Sequence, residues 1–163
     1  MSRGELLQLA RRLRAVLTDA LFVVNDHVDI ALLSKADGVH LGPDDLSVVA
    51  ARRVAGDRLV IGASASTAER AREAVSAGAD YLGSGPAFPT PIKAEKRVLG
   101  PEGIAAIAKL VDVPVFAIGG IDASNIEQVV AAGLNRACVI RAVGEAIDPE
   151  KATRDLRAML YAK

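Results

Sequence analysis

The chain has 163 residues, of which 51% are hydrophobic and 25% charged, and its twenty Lys and Arg residues balance twenty Asp and Glu residues. This balance argues against a nucleic acid or an anionic membrane as a partner, and three Phe, two Tyr and no Trp leave few side chains for stacking on bases. A single cysteine excludes an internal disulfide, and the sequence contains no apolar run of signal-peptide or membrane-spanning length. We therefore expect a cytoplasmic protein.

Helical patterns alternate with short buried-strand patterns along the whole chain. Leu6, Leu9 and Leu13 belong to an amphipathic helical stripe, and residues 20–24 form an apolar run with the β-branched and aromatic residues typical of a buried strand. The other predicted strands are residues 38–42, 59–64, 81–85, 113–120 and 136–142. The helices predicted between and after them are residues 28–36, 45–54, 67–77, 104–111, 124–132 and 149 to the end.

Similar phrases recur just before three of the strands. Lys-Ala-Asp-Gly at 35–38, Ala-Gly-Ala-Asp at 77–80 and Ala-Gly-Leu-Asn at 132–135 each end a helical pattern. Strict alternation of helix and buried strand predicts a parallel sheet with helices outside, either an open doubly wound sheet or part of an eight-stranded barrel. The barrel is favoured because Gly, Ser, Asp and Asn follow nearly every strand, which is where barrel enzymes place their catalytic groups.

Acidic side chains follow the first two predicted strands. Asn25 and Asp26 end the first strand, and Asp45 follows the second. Carboxylates on neighbouring strand ends can converge on one Mg²⁺, which prefers a few carboxylates together with substrate phosphate oxygens. Alternatively, Asp45 caps a helix that begins at Leu46, and Asp26 caps the helix after the first strand. The spacing alone leaves both interpretations open.

Two further segments carry candidate phosphate contacts. Ser64 ends the third strand, where its hydroxyl can either donate to a phosphate oxygen or cap the helix that begins at Thr67. The loop of residues 85–93 contains three prolines together with Thr90 and Lys93. Prolines stiffen a loop and so lower the entropic cost of ordering it around an anion. A binding role and a structural role are equally compatible with this loop.

A glycine pair, Gly119 and Gly120, stands at the end of the fifth predicted strand and precedes a helix. Glycines at such a position expose backbone N–H groups. Together with Ile140 and Arg141 at the end of the last strand, they match the phosphate site that barrels form after their last two strands.

The histidines and the cysteine give weaker signals. His27 and His40 have no third ligand at metal-binding spacing, so we predict structural roles for both. Cys138 lies in an apolar run and is predicted to be a small core residue.

Five motifs resemble those of the thiamine phosphate synthase family, and the resemblance extends from about residue 20 to residue 146. In order, they are Val24-Asn-Asp-His-Val-Asp-Ile-Ala31, Ala36-Asp-Gly-Val-His-Leu-Gly-Pro-Asp-Asp45, Gly62-Ala-Ser-Ala-Ser-Thr67, Ala79-Asp-Tyr-Leu-Gly-Ser-Gly-Pro-Ala-Phe-Pro-Thr90 with Lys93, and Ile118-Gly-Gly-Ile121. Their order and spacing are specific. The resemblance implies a TIM (β/α) barrel, with parallel strands inside and helices outside.

The resemblance also implies a transferase of thiamine biosynthesis. Such an enzyme couples 4-amino-5-hydroxymethyl-2-methylpyrimidine diphosphate with thiazole phosphate, giving thiamine phosphate and diphosphate. Both substrates are small molecules, and the implied cofactor is Mg²⁺, which stabilises the departing diphosphate.

Site residues follow from the resemblance by position. Asp26 and Asp45 correspond to the metal ligands. The contacts to the pyrimidine diphosphate correspond to Asn25, Ser64 and Lys93, of which Ser64 and Lys93 are assigned as catalytic. The thiazole phosphate site corresponds to Thr90, Pro91, Ile92, Gly119, Gly120, Ile140 and Arg141.

The chain departs from the family pattern in ways that leave alternatives open. We predict a single domain over residues 1–163 that is incomplete at its N-terminus, with about six of the eight β/α units and without the Gln-x-Arg-x-Lys stretch that binds diphosphate. Arg141 stands where Ser is usual. One alternative is a non-catalytic or truncated phosphate-binding barrel remnant. A thiazole tautomerase-like isomerase is less favoured because it would need His at the position of Ser66. A homo-oligomer stays open.

Overall fold

Strands and helices alternate along the computed structural model, which describes residues 1–90 and 97–161. The strands are β1 (Val23–Asn25), β2 (Gly38–Leu41), β3 (Val60–Ser64), β4 (Tyr81–Ser84), β5 (Val115–Ile118) and β6 (Ala137–Cys138). The helices are α1 (Arg3–Val16), α2 (Val28–Leu33), α3 (Val48–Ala55), α4 (Ala68–Ser76), α5 (Gly100–Ala108), α6 (Ile126–Ala131), α7 (Arg141–Gly144) and α8 (Pro149–Leu160). None of the helices in the described ranges is long and apolar enough to cross a membrane.

The chain divides into two compact units. Unit 1 consists of Met1–Ser64 and Glu73–Tyr81, and unit 2 consists of Ala65–Arg72 and Leu82–Lys163. In unit 1, β1 pairs with β2 and β2 with β3, and both pairs are parallel. In unit 2, β4 pairs with β5 and β5 with β6, again in parallel. Parallel neighbours need a crossover connection, and the helix after each strand supplies it.

The core of unit 1 lies on one face of β2 and β3. Its most buried side chains, each at most 2% exposed, include Val39, Leu41, Ile61, Ala31 and Ala51. Burying each of the larger ones contributes about 1.5–3 kcal/mol. Because successive residues of a strand point to opposite faces, His40, Gly62 and Ser64 lie on the other face. His40 pairs in register with Asn25 on one side and with Gly62 on the other.

An aspartate just before β2 explains the first of the recurring phrases. The Asp37 carboxylate accepts hydrogen bonds from the Phe22 backbone N–H and from the Arg14 guanidinium, both at 2.7 Å. These donors, the Phe22 N–H foremost, lower the pKa of Asp37 below its ordinary value. The phrase therefore ties a strand to the strand and helix that precede it in the chain.

The second phrase works in the same way at the start of β4. The Asp80 carboxylate accepts hydrogen bonds from the Ile61 N–H and from Arg52, both at 2.7 Å. Arg52 also donates to the carbonyls of Gly56 and Leu59 at 3.0 Å and of Gly78 at 2.8 Å. This repeat in the sequence is thus a repeated structural clamp.

Several predicted boundaries are wrong, including those of β5, which spans Val115–Ile118 where residues 113–120 were predicted. The first strand begins at Val23 instead of residue 20, and α3 begins at Val48 instead of residue 45. The last strand is limited to Ala137–Cys138, whereas residues 136–142 were predicted. Ile140 instead forms the N-cap of α7, and Arg141 is its first residue. The four-residue α7 is too short to show a helical period in the sequence.

Candidate active site

Asp26 lies at the turn that follows β1. Its backbone adopts a left-handed conformation with φ of 67°, which Asp tolerates better than most residues. Its N–H donates to the carbonyl of His40 at 2.8 Å, and the His27 N–H donates to the carbonyl of Asn25 at 2.8 Å. The turn is therefore fixed by the backbone. The N-cap of α2 is His27, with no side-chain cap hydrogen bond, so the capping interpretation of Asp26 is wrong.

The Asp45 carboxylate is held by the loop after β2. It accepts a hydrogen bond from the Gly42 N–H at 2.7 Å, and a Cβ on Gly42 would lie only 3.0 Å from the Asp45 Oδ2. The cap of α3 is Ser47, whose Oγ accepts from the Ala50 N–H at 3.2 Å. The capping interpretation of Asp45 is therefore wrong as well.

The two carboxylates interact with each other. Burial raises the pKa of Asp26, and a hydrogen bond to Asp45 and the charge of Asp45 raise it further. The Asn25 side-chain amide donates to Asp26 and opposes this rise. Two carboxylates this close favour a shared proton or a cation between them.

The donor set fits a magnesium ion. In the described part of the chain, no three His, Cys, Asp or Glu residues come together as a metal site. The protein would therefore offer the two carboxylates with Asn25 beside them, leaving positions for substrate oxygens and water. Mg²⁺ is usually bound in this way, by one or two carboxylates plus substrate phosphates.

Ser64 ends β3 and does not cap α4. Thr67 takes that role, since its hydroxyl accepts from the Arg70 N–H at 3.2 Å. The Ser64 Oγ instead lies 3.0 Å from Nε2 of His40. The capping interpretation of Ser64 is therefore wrong, and its hydroxyl belongs to a side-chain network.

The network extends from His40 to Tyr81. The His40 Nδ1 lies 3.1 Å from the Tyr81 hydroxyl, and the two ring centroids are 5.5 Å apart. Gly62 makes room for this contact, because a Cβ there would lie 2.1 Å from a Tyr81 ring carbon. Nothing in the sequence links His40 to a tyrosine 41 residues away, so sequence reasoning missed this pair.

Unit 2 contains a separate cavity of about 250 Å³. Five of the seven residues predicted for the thiazole phosphate site line it, together with seven residues that were not predicted. The predicted ones are Thr90, Gly119, Gly120, Ile140 and Arg141. The additional ones are Ile118, Ile121, Asp122, Cys138, Val139, Ala142 and Glu145. Pro91, Ile92 and Lys93 lie outside the described residues.

The glycine pair is packed against the loop after β4. Gly119 and Gly120 have φ of 98° and 68°. A Cβ on Gly119 would lie 2.8 Å from the Pro86 Cβ, and one on Gly120 would lie 2.7 Å from the Pro89 carbonyl oxygen. Only glycine combines these conformations with such close contacts.

Hydrogen bonds orient the peptide groups of this pair. The Phe88 N–H donates to the carbonyl of Gly119 at 3.0 Å, and the Asn125 side-chain amide donates to the carbonyl of Gly120 at 2.8 Å. In a trans peptide the N–H points opposite to the C=O. The N–H groups of Gly120 and Ile121 therefore point away from Phe88 and Asn125.

The single cysteine is not a core residue. Cys138 is exposed and lines the unit 2 cavity, so the prediction of burial is wrong. Cys138 is the last residue of the two-residue strand β6, which lies beside the cavity. An apolar run in the sequence looks the same whether it forms a cavity wall or a core.

Comparison with known proteins identifies the relatives of the chain. The family described as thiamine monophosphate synthase matches residues 1–143. The thiamine-phosphate synthase of Pyrococcus abyssi is 44% identical over 161 residues, covering 98% of this chain and 77% of that protein. The thiamine-phosphate synthase of Gloeobacter violaceus is 48% identical over 149 residues, covering 90% of this chain and 44% of that protein.

A solved structure gives the same answer for the fold. The thiamine phosphate pyrophosphorylase from Pyrococcus furiosus superposes with a TM-score of 0.91 at 42% identity, covering 98% of this chain and 78% of that one. This similarity, with six β/α units in chain order, confirms the predicted α/β fold of the TIM barrel type. The chain belongs to the thiamine monophosphate synthase family.

Proposed function

We propose that this chain is a thiamine phosphate synthase, which couples 4-amino-5-hydroxymethyl-2-methylpyrimidine diphosphate with thiazole phosphate and releases diphosphate. The relatives carry this name, and the observation that carries the proposal is the carboxylate pair of unit 1. Burial and the neighbouring Asp45 raise the pKa of Asp26 and so disfavour its charged form, and a cation beside the pair would offset that cost.

Unit 1 holds the pyrimidine diphosphate in this proposal. Asp26 and Asp45 would bind Mg²⁺, whose charge would stabilise the diphosphate as it departs. Asn25 and Ser64 supply hydrogen-bond donors to the diphosphate oxygens. Asn25 is exposed and Ser64 is half-buried, so both are accessible to a ligand. Lys93 is proposed as a further contact on the strength of the family resemblance.

Unit 2 holds the thiazole phosphate. The oriented N–H groups of Gly120 and Ile121, the hydroxyl of Thr90 and the guanidinium of Arg141 are suitable donors for a phosphate. Arg141 is exposed and can bind a phosphate in a bidentate way, which a Ser at this position could not do. Pro91 and Ile92 stay predictions for this site.

The chemistry needs charge stabilisation more than proton transfer. The bond between the pyrimidine methylene carbon and the diphosphate oxygen breaks, and the oxygen keeps the electron pair. The thiazole ring nitrogen then donates its lone pair to the resulting cation and forms the new C–N bond. A neutral ring nitrogen has no proton to lose, so no enzyme base is required. The role of the residues is therefore to bind both substrates and to stabilise the leaving group.

The test is a synthesis assay with a magnesium titration. Purified protein is supplied with both substrates, and thiamine phosphate is quantified by its oxidation to a fluorescent product. We expect Asp45→Asn to reduce kcat/KM by about a thousandfold, since the metal contributes several kcal/mol of charge stabilisation. Asp44→Asn is the matched control, because Asp44 is exposed in the same loop. Equal effects of the two variants would contradict the proposal, as would synthesis that is independent of Mg²⁺.

The remaining expectations concern the setting of the enzyme. A cytoplasmic location and a homo-oligomeric assembly stay predictions. Gel filtration with light scattering measures the oligomeric state directly.

A further inference from the structure

His40 stands at the centre of a three-residue network in unit 1. Its Nε2 lies 3.0 Å from the Ser64 hydroxyl, and its Nδ1 lies 3.1 Å from the Tyr81 hydroxyl. All three side chains are half-buried, so a bound ligand can reach them while solvent competes only weakly. The ring is thus connected at both nitrogens.

The position of the ring is built into the strands. His40 pairs in register with Gly62, and the Tyr81 ring fills the space that a side chain on Gly62 would take. The carbonyl of His40 also accepts the Asp26 N–H at 2.8 Å. His40 therefore contacts the turn at Asp26 through its backbone and Ser64 through its side chain.

The direction of the hydrogen bonds follows from acidity. A neutral imidazole has one donor and one acceptor nitrogen, so the network runs either from Tyr81 to Ser64 or in reverse. A phenol, with pKa about 10, is a better donor than an aliphatic hydroxyl. Tyr81 O–H to Nδ1 and Nε2–H to Ser64 Oγ is therefore the favoured direction.

This direction decides what Ser64 can do. When Ser64 accepts from Nε2, its own proton is free to donate to a ligand. In the reverse direction its proton is used by the ring, and only lone pairs remain to face an anion. Donors in series also polarise one another and strengthen the last hydrogen bond.

We propose that His40 is a positioning residue that holds the Ser64 hydroxyl as a donor toward a bound phosphate oxygen, with Tyr81 fixing the tautomer of the imidazole. The nature of the phosphate ligand rests on the proposed function. The tautomer of His40 does not, and it can be measured without any ligand.

The first experiment is ¹⁵N NMR of the histidine side chains in the ligand-free protein. The signals of His40 are identified by their loss in His40→Gln. We expect a proton on Nε2 and an unprotonated Nδ1. In Tyr81→Phe, the ring should become a mixture of tautomers. A neutral ring protonated on Nδ1 overturns the proposal, whatever the enzyme activity.

The second experiment measures binding of magnesium diphosphate by calorimetry in a set of variants. Ser64→Ala should weaken binding about 10- to 100-fold, the effect of one hydrogen bond to a charged group. His40→Asn, whose amide reaches only as far as Nδ1, should weaken it nearly as much. His40→Gln keeps an N–H donor near the position of Nε2 and should retain most of the affinity.

The double variant His40→Asn with Ser64→Ala gives the decisive comparison. We expect it to bind no more weakly than Ser64→Ala alone, because His40 acts through Ser64. Additive losses overturn the proposal. If Asp45→Asn and Ser64→Ala both leave binding unchanged while Nε2 stays protonated, the proposed function of this site has failed and the phosphate-directing role of His40 fails with it.

Discussion

Aspartates of unit 1 that precede strands differ from those that follow strands in what surrounds their carboxylates. Asp37 and Asp80 precede strands, and each is bound by an arginine and by a backbone N–H. Asp26 and Asp45 follow strands and interact with each other. The pKa of Asp37 is lowered, whereas that of Asp26 is raised.

The difference separates two uses of the same residue type. At the amino ends, each negative charge is neutralised within the protein and contributes to stability. At the carboxyl ends, two carboxylates interact without an arginine between them, and the raised pKa of Asp26 shows that its charge is disfavoured there, which suits a site that binds a cation. Barrel enzymes divide their two faces in this way.

Two glycines of unit 2 with positive φ allow the sharpest test of the difference between the two ends of the strands. Gly120 follows a strand and has φ of 68°, while Gly133 precedes one and has φ of 86°. A Cβ on Gly120 would lie 2.7 Å from a carbonyl oxygen, whereas one on Gly133 would meet nothing within 4 Å. We expect Gly120→Ala to destabilise by about 3 kcal/mol and Gly133→Ala by about 1 kcal/mol.

Urea denaturation of both variants measures these differences. Gly120→Ala should also weaken the binding of thiazole phosphate, because the loop that packs on it must move. Gly133→Ala, the matched control for backbone strain, should bind normally. Equal destabilisation by the two substitutions would contradict the assignment of close packing to Gly120.

Removing the clamp at the other strand end should affect stability alone. Arg52→Ala loses four hydrogen bonds, including the ion pair with Asp80. We expect a loss of about 2 kcal/mol, a modest figure because the pair is partly exposed to solvent. Arg53→Ala, at the exposed neighbouring position, is the control. The folded Arg52 variant should bind magnesium diphosphate normally, and impaired binding would argue against a purely structural role.

Neutralising one of the two proposed metal ligands, Asp26 and Asp45, should raise stability instead of lowering it. The raised pKa of Asp26 means that the folded protein holds a proton more tightly than the unfolded chain, so stability falls as pH rises from the ordinary Asp value through the raised one. Asp26→Asn should therefore stabilise the metal-free protein at neutral pH, by less than about 1 kcal/mol given solvent screening. Below that pH range the two proteins should melt alike. A destabilised variant at neutral pH would contradict the prediction.

The smallest effect is expected at Asp37, where the sign reverses. A lowered pKa means that stability is complete above the ordinary Asp value and is lost as pH falls through the lowered one. Thermal melts of Asp37→Asn should show a lower midpoint at neutral pH and a smaller loss on acidification than the parent. Parallel melting curves for the two proteins across the acidic range would refute this.

The sequence predicted the architecture well because periodicity is local. A short apolar run in the sequence indicates each buried strand, and the recurring phrases mark where three of the strands begin. The predicted start of α3 was wrong because two nearby residues could each have capped the helix. Asp45 and Ser47 are both of residue types that cap helices well. The Asp45 carboxylate accepts the Gly42 N–H, and Ser47 caps α3.

The site was predicted only as far as position along the chain allows. Asp26, Asp45 and Ser64 could be proposed as site residues because strand ends are visible in sequence, but the contacts of Ser64 could not be predicted. His40 meets Tyr81 because a glycine on β3 leaves space for the ring. Such a contact depends on register and on an absent side chain, and neither leaves a periodic signal.

The position of Cys138 offers a way to observe the unit 2 cavity directly. It is the single thiol of the chain, it is exposed, and it stands in the cavity wall. Neighbouring atoms partly desolvate the thiol and raise its pKa, so labelling proceeds best at mildly alkaline pH. A fluorophore attached there would act as an optical reporter, and the unmodified protein already contains the only attachment point required.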